Sequence, residues 1–252
     1  MKDKIIETVK STVAAYESSN HLDNFWKEPI VEIISAKDER LKTLKEAVSI
    51  GHLMPHDILS DAKSIVSFFI PFQENIVKSN IEGPVASKEW VMAYIKTNDL
   101  LKTISEGIET LMEQNGYKAG KIPATHNFDA KILMSNWSHR HIAFLAGIGT
   151  FGANNMLITK NGCCGRLGSI IINYEFSEYR HNTVAEKCLN KKNGTCGICQ
   201  KKCFVNAYEN NIFDRHKCYK QCIKNDEFHK TMGNAHVCGK CLVGLPCSTM
   251  EP

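Results

Sequence analysis

Residues 188–203 read CLNKKNGTCGICQKKC and residues 237–247 read VCGKCLVGLPC, and the cysteine spacing in these two stretches decides how the chain is organised. The first is C-x7-C-x2-C-x3-C, running from Cys188 through Cys196 and Cys199 to Cys203. The second supplies Cys238, Cys241 and Cys247, and Cys218 and Cys222 lie between the two. In a reducing compartment such close spacing ligates metal rather than forming disulfides. Two zinc sites would use eight thiolates, and paired C-x2-C is also a zinc-ribbon signature. The crowding of three soft ligands beside Cys188, with a similar set further on, favours iron–sulfur clusters instead. Two clusters take eight of the nine cysteines from Cys188 onward and leave one spare.

The run also resembles a two-cluster ferredoxin, in which the last cysteine of each half ligates the other half's cluster. The match is loose, because neither run has proline after its final cysteine and the first gap has widened to seven residues. None of the eleven cysteines precedes Cys163. From Lys187 onward there are eleven Lys/Arg against five Asp/Glu, so the basic excess sits with the cysteines. That excess reads equally as a nucleic-acid patch or as compensation for the negative charge of thiolate-bound clusters. The N-terminus lacks an apolar run with a cleavage site, and no stretch approaches the ~18 apolar residues of a membrane span. The expected location is the cytoplasm, with no membrane partner.

Residues 1–186 have ordinary globular patterning. Ile5, Ile6, Val9, Val13 and Tyr16 recur at helical spacing, as do Leu100, Leu101, Ile104, Ile108, Leu111 and Met112. Ser64–Ile70, closed by Pro71, and Ser169–Tyr174 read as buried strands. The predicted fold class is α+β, with an α/β cofactor-binding domain over 1–186 and a two-cluster, ferredoxin-like domain over 187–252. Between a helix and an apolar stretch lies a loop with Gly147, Gly149 and Gly152, where backbone can approach a ligand closely. It follows a helix, so it is not the dinucleotide fingerprint, which follows a strand.

Four segments in this order, PHDILSDAKSIVSFFIPF (55–72), SHRHIAFLAGIGTFGANNMLI (138–158), GCCGRLGSIII (162–172) and the cysteine set, resemble the epoxyqueuosine reductase family, which depends on cobalamin and [4Fe-4S] clusters and is related to the reductive dehalogenases. The resemblance implies a nitroreductase-like, corrinoid-binding α/β domain before the cluster domain. It groups Cys188, Cys196, Cys199 and Cys247 around one cluster and Cys203, Cys218, Cys238 and Cys241 around the other, leaving Cys222 unassigned. It gives Gly147, Gly149, Gly152, Asn154, Asn155, Leu157, Ile158 and Gly168 to cobalamin held base-off. It also implies electron flow from cluster to cluster to cobalt, a donor such as ferredoxin or flavodoxin, and a small-molecule substrate or a corrinoid protein as acceptor.

Departures from the family pattern point away from tRNA. Leu133 occupies the position of the family's acidic proton donor, with Asp129 near but not aligned. Ala153 stands in place of a lysine, and residues 248–252 carry no RNA-holding helical repeat. Cys163 and Cys164 read as packing, with cobalt ligation or redox chemistry as the alternative. Ser138-His139-Arg140-His141 reads as a helix start capped by Ser138 with exposed polar neighbours or as a substrate contact. His126, His216, His229 and His236 read as solvated or locally bonded. The competing functions are therefore a corrinoid-dependent reductase, a protein that reduces a partner's corrinoid, and a ferredoxin fused to a structural domain. The third leaves the large α/β part unexplained.

Overall fold

The computed structural model describes residues 1–124, 128–179, 184–209 and 212–252. Its centre is an antiparallel sheet of β1 (Ile30–Ser35), β2 (Ser64–Pro71), β3 (Ala119–Lys121) and β6 (Gly165–Ile172) in the order β1-β2-β6-β3. Every residue of β2 is buried, because strands flank it on both sides and helices cover both faces. Alternation along the strands divides the core. Val66, Phe68, Ile70, Ile170 and Ile172 face α1 (Lys2–Ser19) and α2 (Lys88–Gln114). Ile65 and Ile171 face α3 (His139–Leu145) through Ile142 and Leu145.

The periodic apolar residues form the two helices, and each helix is longer than its stripe. Ser87 caps α2 by accepting from Trp90 N at 3.1 Å, and the helix ends where Gly116 takes φ +79°. Leu100, Ile104, Ile108 and Met112 of α2 are fully buried, each contributing about 1.5–3 kcal/mol. The strand expected over 169–174 begins four residues earlier. Gly165 pairs with Pro71 and Gly168 with Phe68, and both glycines lie against phenylalanine rings that occupy the space of a side chain.

The glycine-bearing segment is a hairpin rather than a loop. Its strands are β4 (Gly149–Phe151) and β5 (Leu157–Thr159), paired through Gly149 and Thr159. The cysteine-rich residues pack on the same core as the sheet: Cys188, Ala235, Leu242 and Val243 join the cluster built on α1, α2 and one sheet face. Backbone bonds from Cys163 N to Cys247 O (2.9 Å) and Cys164 N to Ser248 O (3.1 Å) tie the C-terminal segment to the start of β6. Among the described residues no helix is long and apolar enough to cross a membrane.

Candidate functional site

Cys188, Cys196, Cys199 and Cys247 line one cavity of about 20 Å³. Its other walls include Gly152, Ile158, Leu189, Leu245 and Pro246, so it is largely apolar. Cys188 caps a short helix, Leu189–Asn193, which ends at Gly194 with φ +72°, and the chain returns so that Asn190 Nδ2 donates to Cys196 O at 2.7 Å. Burial raises the Cys199 thiol to about 11, and Cys247, Cys188 and Cys196 add to the effect. Hydrogen bonding to Cys163, followed by burial, holds the Cys247 thiol well above its ordinary range.

A second group gathers at α4 (Arg215–Phe228) and the loop 238–241. Burial raises Cys238 to about 11, with Cys218 and Cys203 nearby, and raises Cys241 to about 12 under the same neighbours. Cys218 and Cys222 are one turn apart on α4 and hydrogen-bonded to each other. This bond and the Arg140 charge hold Cys218 down to about 7, while Cys222 is pushed up and also feels Cys238 and Cys241. The structure thus brings Cys222, as well as Cys218, to the second group. Ala207 N donates to Cys203 Sγ at 3.4 Å, and Tyr208 Oη lies 4.0 Å from Cys241 Sγ while donating to Asn154 O at 2.8 Å. Lys240 is buried, its Nζ held by Asn80 O at 2.8 Å and Glu82 O at 2.7 Å, and it acts on Cys238.

Four cysteines in each group are the donor set that an iron–sulfur cluster takes. Thiols this buried give up their protons to a metal rather than to water, and the donors around the second group suit sulfur that carries negative charge. The nitrogen of Trp90, buried and without a hydrogen-bond partner, lies against Gly239 between two of these cysteines. Among the described residues no three His, Cys, Asp or Glu side chains stand close enough to hold a single metal ion.

The residues given to the corrinoid lie around the β4–β5 hairpin and on β6. A Cβ on Gly149 would strike the Ile158 carbonyl, one on Gly152 would meet Asn154 Oδ1 and Ile158, and one on Gly168 would strike the Phe68 ring. Protein fills the Cβ direction of all three glycines, and Gly152 also lines the cavity of the first cysteine group. Asn154 is buried and links the hairpin to the second group, its Nδ2 donating to Cys241 O at 3.0 Å. Leu157 and Ile158 are core residues, Asn155 is exposed at the hairpin turn with φ +61°, and Gly147 has φ +80° just after α3.

Other expectations are corrected in the same region. His139 is buried, 2.8 Å from Ser169 Oγ and 3.0 Å from Pro123 O, so it is not an exposed neighbour of the Ser138 cap. Ser138 does cap α3 and also bonds His141 Nδ1 at 2.7 Å. His229 is buried and bonds Ala86 O at 2.7 Å, so it is neither solvated nor locally bonded. His216 is exposed and His236 pairs with Asp226 at 3.2 Å. His126 lies outside the described residues. Cys163 and Cys164 are buried, and Cys164 Sγ donates to Leu242 O at 3.2 Å. Asp129 is spent locally, its Oδ1 accepting from Lys131 N at 2.8 Å in a turn where Leu133 has φ +54°.

Arg166, Tyr94 and Tyr208 carry no spacing signal, and sequence reasoning passes over them. Arg140 is exposed, and the protein atoms around its guanidinium are the main influence lowering it. It donates to Asn155 O at 2.8 Å and stands beside Tyr208 and Cys218.

No protein-family model and no curated protein matches the sequence. Solved structures do match the fold. An epoxyqueuosine reductase with a tRNA-Tyr epoxyqueuosine-modified tRNA stem loop is 20% identical with a TM-score of 0.59 over 98% of this chain and 65% of its own. The epoxyqueuosine reductase from Streptococcus thermophilus gives 17% and 0.53, over 95% of this chain and 67% of its own. The catabolic reductive dehalogenase NpRdhA in complex with 3-bromo-4-hydroxybenzoic acid gives 16% and 0.60, over 88% of this chain and 30% of its own. The chain thus has the fold of these reductases and dehalogenases and spans about two thirds of the former and under a third of the latter.

Proposed function

We propose that this protein is an iron–sulfur oxidoreductase in which residues 187–252 carry two [4Fe-4S] clusters and residues 1–186 hold the electron acceptor. The observation that carries the reading is the convergence of Cys247 on the cavity lined by Cys188, Cys196 and Cys199, 48 or more residues before it in sequence, with a second thiol group formed by other cysteines. Cys203, Cys218, Cys238 and Cys241 are the proposed ligands of the second cluster. A one-electron donor of the ferredoxin or flavodoxin class would feed the first cluster. The acceptor is a corrinoid, which when bound supplies a strongly reducing cobalt centre. In this reading its place is beside the β4–β5 hairpin, near Arg140 and Tyr208.

The filled Cβ directions of Gly149, Gly152 and Gly168 favour a second reading, in which the clusters pass electrons to a corrinoid carried by a partner protein. Anaerobic reconstitution with iron and sulfide, followed by visible titration with cob(II)alamin, separates the two. Bound corrinoid with a displaced lower base supports the first reading. Full cluster content without corrinoid binding supports the second, and stoichiometric zinc in place of iron overturns both.

A further inference from the structure

Cys163 and Cys164 belong to neither proposed ligand set, and both are 1% exposed in the segment that leads into β6. That segment is fixed from two sides. Phe72 N, just past β2, donates to Cys164 O at 2.9 Å, while Cys163 N donates to Cys247 O at 2.9 Å and Cys164 N to Ser248 O at 3.1 Å. Gly162 permits the approach: it has φ +82°, and a Cβ there would lie 2.4 Å from the Ser248 carbonyl oxygen. The facing segment is held as firmly, since the Ser248 hydroxyl donates to Leu242 O at 2.7 Å and accepts from Leu245 N at 2.8 Å.

This packing sets Cys163 against Cys247. A backbone bond of 2.9 Å keeps their Cα atoms no more than about 7 Å apart, and disulfides span about 4.4–6.8 Å between Cα atoms. The two side chains also turn toward each other, because their thiols are hydrogen-bonded. Leu242 O, at 3.9 Å, competes only weakly for the Cys163 thiol. Cys164 turns away, its Sγ donating to Leu242 O at 3.2 Å. Cys247 is half-buried and lines the cavity of the first group, whereas Cys163 is buried and is not part of the cavity wall. One thiol of the pair is therefore reachable, and the other is in reserve next to it.

We propose that Cys163 and Cys247 form a reversible disulfide while the first cysteine group holds no cluster, and that this bond withholds Cys247 from cluster assembly. The oxidant is a low-molecular-weight disulfide. The Cys247 thiolate attacks one sulfur of that reagent, and the other half leaves as a thiolate. The Cys163 thiolate then attacks the Cys247 sulfur and expels the second half, and the two protons lost by the protein end on the two released thiols. Two protein thiols are oxidised and one small disulfide is reduced to two small thiols. The withholding step rests on the first group being a cluster site, but the disulfide itself does not.

The test uses the full chain without iron, treated with hydroxyethyl disulfide at about pH 8.5, where more of each thiol is in the attacking form, then alkylated and mapped by mass spectrometry. Wild type and Cys164→Ser are expected to yield peptides joined through Cys163 and Cys247, separated again by dithiothreitol. In Cys163→Ser, Cys247 should instead keep the small thiol as a mixed disulfide. Should that variant fold poorly, the wild-type map decides alone. Linked protein should then take up about four iron per chain rather than about eight, and prior reduction should restore the difference. Linkage of Cys247 to Cys188, Cys196 or Cys199, a bond between Cys163 and Cys164, or a mixed disulfide on Cys247 beside an unreacted Cys163 in wild type overturns the proposal. Full iron uptake by linked protein overturns the withholding step. Failure of the reduced protein to take up iron falls on the cluster reading and leaves the mapped disulfide standing.

Discussion

Around Cys188, Cys196, Cys199 and Cys247 the wall is made of Ile158, Leu189, Leu245 and Pro246, whereas around Cys203, Cys218, Cys238 and Cys241 it includes the Tyr208 hydroxyl, the Ala207 amide and the charges of Arg140 and Lys240. Reduction adds one negative charge to a cluster, and nearby donors and cations stabilise that added charge. An apolar wall does not. With both clusters bound as proposed, the second would have the less negative potential, and electrons would pass from the apolar site to the polar one.

The largest expected effect tests whether there are two sites at all. Cys196→Ala should remove the first cluster and Cys241→Ala the second, each lowering iron from about eight to about four per chain. The EPR signal that survives should differ between the two variants. Cys222→Ala should keep full iron content, and loss of a cluster there would make Cys222 rather than Cys218 the ligand on α4. If both first variants lose all iron, the groups are one cooperative unit and the comparison breaks.

Next in size is a pair of glycines, one beside each group. Gly239 has φ +74° and a Cβ there would strike the Trp90 ring, while Gly194 has φ +72° and nothing within 4 Å. Gly194→Ala should cost about 1 kcal/mol from backbone strain alone, and Gly239→Ala about 3 kcal/mol because the core must also yield. Equal losses by denaturant titration would mean that the loop 238–241 does not rest on α2.

These glycines also mark where the sequence could be read and where it could not. The strand over 64–71 was legible because an unbroken apolar run has no other easy home. The start of β6 was hidden, since Gly165-Arg166-Leu167-Gly168 looks like a turn until the rings of Phe68 and Phe69 are seen to fill the gaps. The hairpin of β4 and β5 has strands of three residues, too short for alternation to register. Among the site residues, cysteines announce themselves by spacing. Arg166, Tyr208 and Asn154 act through partners 54 to 87 positions away, such as Asn98 for Arg166 and Cys241 for Asn154. No local pattern records such contacts. His229 was misjudged for the same reason, because its burial comes from Ala86, 143 positions distant.

Acid should weaken the second side through His141. Burial, and then the charges of Arg140 and His52, lower its imidazole from 6.5 to about 4. The folded-state value lies below the unfolded one, so between these pH values the unfolded chain binds more protons and stability rises with pH. The contribution is therefore complete above about pH 6.5 and is lost as pH falls toward 4, a change of about 1–2 kcal/mol after allowing for partial exposure. His141→Gln should flatten that slope in urea titrations, with His52, also lowered by burial, leaving a residue. An unaltered slope would place the titrating group elsewhere.

The smallest effect goes to the heart of the comparison. Tyr208 Oη donates to Asn154 O and lies 4.0 Å from Cys241 Sγ, so loading the second site with iron would turn a neutral thiol into a charged acceptor within reach of that hydroxyl. A hydrogen bond that strengthens on reduction contributes about 0.5–1.5 kcal/mol, which for one electron is roughly 20–65 mV at the conversion of about 59 mV per decade. Tyr208→Phe should therefore lower the second cluster's midpoint potential by that amount in an EPR-monitored redox titration and leave the first cluster unmoved, because no wall residue of the apolar cavity is changed. A shift in the first cluster alone would reverse the assignment of polar and apolar sites, and the direction of electron flow with it.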